Sequence, residues 1–441
     1  MFEKSPIDSK IAADVGVSLE QLDLKTLEDW QLGKLKDVIG YLKENSSFYQ
    51  EKLQNIKPED IKSFDDFAKL PLTSEADLAG NENDFLCMRP GEVTRLVTVP
   101  TTGTTGGQKK LAFAGEDILK AMDFITVAYT TFMKPGDRMM VMMSGGTPGS
   151  IGDVVRKSMD ELGCDTYIYG PVTDINDAYE KIKEYKPDVI TGIPVQMAAV
   201  ARYSQLQDMK AGIADSPAGG KACGSIRVRE MLLSADDVPD AICDRLKTAW
   251  GSRSFRHYGM TELCIAGGCE CAAKMGYHVR NSDHYFEVLD PDENGFGQIA
   301  VTTFNHKAMP LLRYKTGDIG KIEKSPCACG GVLPRIFKIR GRIRNSIDFG
   351  SGRLFLSDIE EVLFSIPEII DFDCSADSRG ISITAKHFPG DIPDTEKARS
   401  ALALLPQLAD VRISIGTCEM TEFPAIYNSK KRLDQSSISG R

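Results

Sequence analysis

A layered α/β architecture is what this chain predicts: a large N-terminal domain of α/β sheets with a small β-barrel-like part, followed by a small α+β C-terminal domain. Three observations predict it. From residue 138 onward, strand-sized apolar runs alternate with helical segments, the pattern of largely parallel strands covered by helices. Between 284 and 322 the pattern changes to short strands punctuated by Asp-Pro, Asn-Gly and Met-Pro turns. Beyond Arg344 a last piece mixes helix and strand patterns afresh. The expected domains are therefore 1–343 and 344–441.

Each element has its own signal. Leu27, Trp30, Leu35, Val38, Ile39 and Leu42, within 26–53, are spaced for one helix face. Met139–Met143, Asp165–Tyr169, Asp188–Thr191, Met231–Ser234 and Phe255–Tyr258 read as strands, and Ile151–Leu162 and Ile175–Tyr185 as helices between them. Tyr285–Leu289, Gly297–Val301 and Leu311–Tyr314 are the short strands of the middle region. The last piece offers helices at Ser357–Phe364 and Thr395–Leu404, and strands at Asp371–Cys374, Ile381–Ala385 and Val411–Ile415. The tail from Gln435 reads as mobile.

Composition bounds the function. With 441 residues, 42% hydrophobic and 26% charged, the chain suits a soluble globular protein of two or three domains. A net charge of −10 argues against a nucleic-acid partner, which would need a basic footprint. No run approaches the roughly 20 apolar residues of a membrane span. Met1-Phe-Glu-Lys-Ser-Pro leads into polar sequence rather than a signal peptide. Eleven cysteines, an odd number, then favour reduced thiols and a cytoplasmic location. Cys87, Cys164, Cys223, Cys243, Cys374 and Cys418 stand alone and are expected as buried small hydrophobes.

The most informative run is Val99-Pro-Thr-Thr-Gly-Thr-Thr-Gly-Gly-Gln-Lys-Lys110. Thr101, Thr102, Thr104 and Thr105 alternate with Gly103, Gly106 and Gly107. Glycine lets the backbone approach a ligand closely, and successive N–H groups in such a turn make an anion-binding concavity. Threonine hydroxyls add donors, and Lys109 and Lys110 add positive charge. The spacing is not that of the Walker loop. Taken alone, the run also fits a polar turn. Three more segments follow: Tyr258-Gly-Met-Thr-Glu262, Tyr314-Lys-Thr-Gly-Asp318 and Arg340-Gly-Arg342.

In order and spacing, these four segments resemble those of the adenylate-forming ligases, the acyl-CoA synthetase superfamily. Leu233-Ser-Ala-Asp-Asp237, Ala308-Met-Pro-Leu-Leu-Arg-Tyr314 and the paired cysteines after Asp318 are similar to its phenylacetate–CoA ligase branch, which includes the coenzyme F390 synthetases. The likeness spans roughly residues 25–435. It implies an acid–thiol ligase that uses ATP and Mg²⁺ to activate a carboxylic acid, aromatic by branch, and passes the acyl group to coenzyme A. AMP and pyrophosphate would be released.

The resemblance also assigns residues. Thr101, Thr102, Gly103, Thr104, Thr105 and Gly106 would hold the β- and γ-phosphates and the departing pyrophosphate. Tyr258 would stack on adenine, with Gly259 and Met260 in the same nucleotide segment and the backbone at Ala235 and Asp236 reading the base edge. Thr261 would contact the α-phosphate and Glu262 would help hold Mg²⁺. Asp318 would accept from the ribose hydroxyls, and Arg342 would contact ribose or phosphate. Gly192-Ile-Pro194 and Ser144-Gly-Gly146 match turns that line the acyl pocket. Lys430 would be the catalytic lysine of the C-terminal domain, which rotates about a hinge at Arg344 between half-reactions. Each segment has a plainer reading in isolation: Thr261-Glu262 as a helix start, Asp318 as a turn residue, Arg342 as a surface ion pair, and Lys430-Lys431-Arg432 as a solvated charge run.

This chain also departs from the family pattern. Gly107 stands where lysine is common, Ser429 precedes Lys430 where glycine is usual, and Arg344 stands where the hinge is commonly Asp or Lys. Lys431 competes with Lys430. The departures keep two other readings open: an adenylating enzyme with a non-CoA acceptor, either a deazaflavin as in the coenzyme F390 synthetases or an amine, and a degenerate nucleotide-binding protein. The resemblance allows a homodimer.

Cys269-Glu-Cys271, His278 and Cys327-Ala-Cys329-Gly-Gly331 form two short clusters able to supply four zinc ligands. Resemblance to members of the branch selects Cys271, His278, Cys327 and Cys329, with Cys264 and Cys269 spare. Four protein ligands leave no open position, so the Zn²⁺ would be structural. Clustered buried thiols or a redox pair is the alternative.

Overall fold

A computed structural model describes residues 2–100, 108–213, 224–377, 380–420 and 433–435. Two compact units emerge, Met1–Phe132 with His257–Ile339, and Met133–Arg256 with Arg340–Arg441.

In the first unit, the helix Leu24–Asn45 starts where Asp23 caps the Thr26 N–H. It buries the expected stripe of Leu27, Leu35, Val38, Ile39 and Leu42, while Trp30 is half-buried. The helical pattern over 26–53 is built as two helices. Ser46 turns extended, and its hydroxyl accepts from the Tyr49 N–H to start a second helix, Ser47–Lys52. Serine favours such caps because its side chain replaces a missing intrahelical partner.

The sheet of this unit runs in the order His284–Leu289, Gly297–Thr303, Tyr314–Glu323, Arg335–Arg342, Tyr277–Val279, Gly268–Glu270 and the end of Arg253–Tyr258. The first three strands are an antiparallel meander within this sheet. The strand expected at Leu311–Tyr314 begins only at Tyr314. Arg313 has a left-handed backbone, φ 47°. Its buried guanidinium pairs with Glu287 at 3.0 Å and donates to the carbonyls of Ala68 and Leu70, which fixes the chain in that turn. Gly268–Glu270 and Tyr277–Val279 carry Cys269 and His278; at three residues each, they are too short to show alternation.

The second unit holds the parallel series. Arg253–Tyr258, Glu230–Leu233, Val189–Gly192, Arg138–Met142 and Asp165–Ile168 pair in that order, all parallel. The helix Pro194–Lys210 gave no periodic signal. Eight successive residues, Val195–Arg202, are buried, so no polar face interrupts the pattern. The C-terminal part of the unit is a four-stranded mixed sheet, Arg412–Glu419, Gly380–His387, Asp371–Asp377 and Leu433–Asp434, with helices Leu356–Phe364 and Thr395–Leu402. Within this unit it shares one apolar core with the parallel sheet, where Leu246 and Trp250 cluster with Ile359, Leu363 and Phe372. Arg202 pairs with Asp391, and Arg245 donates to the carbonyls of Ile366 and Ile369. Glu361 accepts from the N–H groups of Asp240 and Ala241 at a helix start.

Cys87, Cys164 and Cys374 are buried as expected, but Cys243 is half-buried and Cys418 is exposed. Cys418 lies on the outer strand of the mixed sheet, which explains its exposure. Cys223 lies outside the described residues. No helix among the described residues is long and apolar enough to cross a membrane.

Candidate active site and cysteine cluster

The strand Arg253–Tyr258 delivers Tyr258 into the core of the first unit, and the chain then turns sharply. Gly259 is required there. A Cβ at this position would lie 2.0 Å from the Ile265 carbonyl oxygen and 2.5 Å from His257 Cε1. Met260, extended, precedes one turn of 3-10 helix, Thr261–Leu263, and its carbonyl accepts from Leu263 and Ile265. Cys264 and Ile265 follow with φ of 51° and 76°. A β-branched residue at positive φ is strained, and such strain costs on the order of 1–3 kcal/mol per residue. Arg280 holds the turn. Its guanidinium is paired with Asp283 at 2.8 Å and donates to the Ala266 carbonyl at 3.2 Å.

Two of the sequence segments meet here. The Tyr258 hydroxyl donates to Asp318 Oδ2 at 2.9 Å, joining residues 60 apart in the chain. Both are buried. Asp318 sits on Tyr314–Glu323, and its N–H is held by Thr316 Oγ1 at 3.1 Å.

Glu262 is also buried, at 4% exposure. Its Oε1 accepts from Lys109 Nζ at 2.5 Å and from the Tyr314 hydroxyl at 3.1 Å. Lys109 is the second residue of the strand Gln108–Phe113, and it also donates to Glu75 Oε1 at 2.8 Å and to the Tyr314 hydroxyl at 3.2 Å. A buried carboxylate needs such donors, since unpaired charge in a dry interior is costly. Sequence reading credited Lys109 only with positive charge. It missed Glu75 and Arg280, and it quoted Tyr314 only as an end residue of motifs and of a strand.

The remaining expected site residues belong to other elements or are not described. Ala235 and Asp236 follow the strand Glu230–Leu233 in the second unit, Ala235 with φ 79°. Arg342 ends the strand Arg335–Arg342, and Arg344 lies in the single turn Ile343–Asn345, its carbonyl accepting from Gln435 at 3.4 Å. Thr101, Thr102, Gly103, Thr104, Thr105, Gly106, Gly107, Lys430 and Lys431 lie outside the described residues.

The cysteine cluster is a second centre in the first unit. The ligand atoms of Cys271, His278, Cys327 and Cys329 all lie within 4.8 Å of one another, and all four residues are buried. Cys271 and Cys327 sulfurs are 3.7 Å apart, and Cys329 Sγ is 3.6 Å from His278 Nε2. The Cys-Ala-Cys-Gly-Gly turn closes through the Gly330 N–H to the Cys327 carbonyl and the Cys327 N–H to the Gly331 carbonyl, each 2.8 Å. Gly331 must be glycine, because a Cβ would sit 2.7 Å from His278 Cε1 and 3.3 Å from Cys329 Sγ.

Asp8, on the helix Pro6–Val15, supports the cluster. Its Oδ1 faces His278 Nδ1 at 3.4 Å and its Oδ2 accepts from the Val332 N–H at 3.1 Å. The carboxylate can only accept, so Nδ1 carries a proton, and Nε2 faces the Cys329 sulfur. Burial opposes charge on His278, but Asp8 and the thiols of Cys327 and Cys329 outweigh it and raise its pKa to about 11. A hydrogen bond from Cys271 holds Cys329 down at about 3, against burial and with help from His278. Against burial, Cys327 is lowered as well, by His278, whereas the hydrogen bond to Cys329 raises Cys271; negative sulfur is the state in which cysteine binds a metal. Cys264 and Cys269 stand apart from it, each thiol pushed up to about 12 by burial.

Comparison with known proteins agrees with the sequence likeness. The pattern of the AMP-binding enzyme family matches residues 47–295. A phenylacetate-coenzyme A ligase of Thermus thermophilus is 26% identical over 369 residues, covering 80% of this chain and 78% of the relative. One from Aromatoleum evansii is 25% identical with the same coverage. The fold is similar to that of a 2-hydroxyisobutyryl-CoA ligase in its postadenylation state, with a TM-score of 0.73, 16% identity, and coverage of 89% of this chain and 86% of that one.

Proposed function

Because this chain belongs to the AMP-binding enzyme family, we propose that it is an AMP-forming acid–thiol ligase for an aromatic carboxylic acid. A carboxylate oxygen attacks the α-phosphorus of ATP and pyrophosphate leaves. The coenzyme A sulfur then attacks the acyl carbon and AMP leaves. The observation that carries this reading is the buried Tyr258–Asp318 contact, with Glu262 one turn further along the same segment.

Roles follow from residue chemistry. Tyr258 presents a ring for the adenine and a hydroxyl that orients Asp318, whose carboxylate is suited to two ribose hydroxyls. Gly259 and Met260 shape the turn, and Thr261 offers a hydroxyl for the α-phosphate. Glu262 is the one buried carboxylate of the segment. It suits Mg²⁺, which favours one or two carboxylates plus phosphate oxygens and neutralises charge on the phosphates when bound. The loop 101–106 is assigned to the β- and γ-phosphates, Ala235 and Asp236 to the adenine edge, and Arg342 to ribose or phosphate.

The C-terminal part, 344–441, is assigned as a domain that turns about Arg344, with Lys430 reaching the α-phosphate during adenylation. Removing one preorganised charge donor typically costs about 10²–10³ in rate. Lys430→Ala should lose that much adenylation while thioester formation from pre-made acyl-adenylate survives, and Lys431→Ala should affect neither. A loss with Lys431→Ala instead would move the assignment by one residue.

Cys271, His278, Cys327 and Cys329 suit a structural Zn²⁺. Three sulfurs and one nitrogen are a known tetrahedral donor set, and Asp8 orients the histidine as an outer partner. A cytoplasmic location and a homodimer complete the reading.

Pyrophosphate release over a panel of aryl and alkyl carboxylates, with and without coenzyme A, tests the proposal. Acid-dependent release stimulated by coenzyme A is expected. Acid-dependent release indifferent to coenzyme A would assign another acceptor. ATP binding without release would leave a nucleotide-binding protein.

A further inference from the structure

We infer that Lys109 is a tethered cation that stands in for the divalent metal at Glu262, and that Glu75 is the positioning residue that receives Lys109 when metal and nucleotide arrive. The inference rests on the adenylate-forming reading and extends it to two residues that reading does not use.

Lys109 has a side-chain exposure of 7%. Its ammonium has three N–H donors. Three acceptors meet them: Glu262 at 2.5 Å, Glu75 at 2.8 Å and the Tyr314 hydroxyl at 3.2 Å. The same Glu262 oxygen that accepts from Lys109 also accepts from Tyr314. A metal ion engaging this carboxylate must compete with the ammonium, because two cations on one buried carboxylate repel strongly at low dielectric. Lys109 must then give up Glu262. Without a second counter-ion, it would be a buried, unpaired charge. Glu75 supplies that counter-ion.

The fold fixes Glu75 for this task. It is the first residue of the short helix Glu75–Leu78, whose start is locked by the reciprocal Ser74–Asp77 caps. Thr73, just before, pairs with the strand that carries Tyr314. Its N–H donates to the Arg313 carbonyl at 3.1 Å and its carbonyl accepts from Lys315 at 2.8 Å. Glu75 and Tyr314 are thus held on one local frame. Glu75 is also the more exposed partner, with a side-chain exposure of 33% against 5% for Glu262, so it reaches water while Glu262 does not.

The test compares calorimetric affinities of the full chain for Mn²⁺·ATP and for ATP in excess EDTA, with no carboxylic acid present. Their ratio is the metal's contribution, and any direct effect of Lys109 on phosphate cancels. Glu75→Gln should shrink the ratio about tenfold, the size expected when a buried ammonium loses a charged partner. Lys109→Met should raise it by about the same factor, because Glu262 no longer has a cation to release. In the Lys109→Met background, Glu75→Gln should change nothing further.

An unchanged ratio in Glu75→Gln overturns the inference, as does an equal fall in the two backgrounds, which would mean a purely structural effect. Should Lys109→Met fail to fold, Glu75→Asp serves. It keeps the charge, so a ratio near wild type supports the handover and a fall equal to that of Glu75→Gln refutes it. An enzyme that releases pyrophosphate normally yet shows no Glu75→Gln effect refutes the handover alone and leaves the ligase reading standing.

Discussion

In the proposed reading Tyr258 has two tasks in one side chain, and the two can be separated by a single oxygen. Its ring is suited to stack on a base, while its hydroxyl donates to the buried Asp318 carboxylate. Tyr258→Phe keeps the ring. It leaves Asp318 without that donor, a loss worth about 1.5–3 kcal/mol for hydrogen bonds to charged groups. The expected outcome is a rise in KM for ATP of roughly tenfold or more with little change in kcat, since ribose orientation is a binding term in both ground and transition states. Steady-state kinetics on the purified variant checks it; a fall in kcat at unchanged KM would mean that the hydroxyl acts on the chemistry itself. Glu262→Gln should act differently. The amide keeps shape but not charge, and pyrophosphate release at limiting Mg²⁺ should fall by about 10² or more while the melting temperature changes little. Near wild-type release there would remove Glu262 from the metal site.

At the scale of elements, the cysteine cluster is braced by a helix far away in sequence. Asp8 and His278 are separated by 270 residues, and nothing in the pattern of Pro6–Val15 marks Asp8 out from an ordinary first-turn acid. Close spacing made the two clusters legible, and the family resemblance singled out Cys271, His278, Cys327 and Cys329, which the fold brings together. Outer partners are not, because their spacing is set only by the fold. Glu75 and Arg280 were missed for the same reason. Replacing an outer carboxylate typically weakens metal binding about 10–100-fold. Asp8→Asn should therefore lose zinc to a chelator at correspondingly lower chelator concentration, with zinc read by elemental analysis and destabilisation by thermal melting. Purified wild-type protein free of zinc, with the three thiols and the imidazole freely reactive, would contradict the assignment. Element boundaries follow the same logic. The parallel strands were legible as apolar runs, whereas the helix Pro194–Lys210 was hidden by the burial of its first half on all sides and the strand start at Tyr314 was displaced by what Arg313 needs inside the core.

For the whole molecule, acid is the informative perturbation. His284 and His306 lie buried in contact, Nε2 to Nε2 at 3.5 Å. Burial lowers both, with Arg280 adding to the effect; His284 falls well below the ordinary histidine value and His306 to about 4. Their folded pKa values are depressed, so the unfolded chain takes up protons that the folded chain refuses. Stability should be complete above about pH 6.5 and fall as the pH drops from there towards 4, by on the order of 3 kcal/mol for His306. Denaturant melts across this window should give a positive slope of stability against pH. His306→Gln should reduce that slope by about one proton. A flat profile between pH 6.5 and 4.5 would mean that the pair is protonated in the folded protein.

The central claim is that a carboxylate oxygen attacks the α-phosphorus of ATP. Isotope transfer tests it most directly. With a substrate acid labelled by ¹⁸O in both carboxylate oxygens, and with ATP and coenzyme A present, the bond that forms is oxygen to α-phosphorus and the bond that later breaks is acyl carbon to oxygen. Mass spectrometry of the products should then find one ¹⁸O in AMP, the other in the thioester carbonyl and none in pyrophosphate. Label in orthophosphate, or AMP that carries none, would contradict the account.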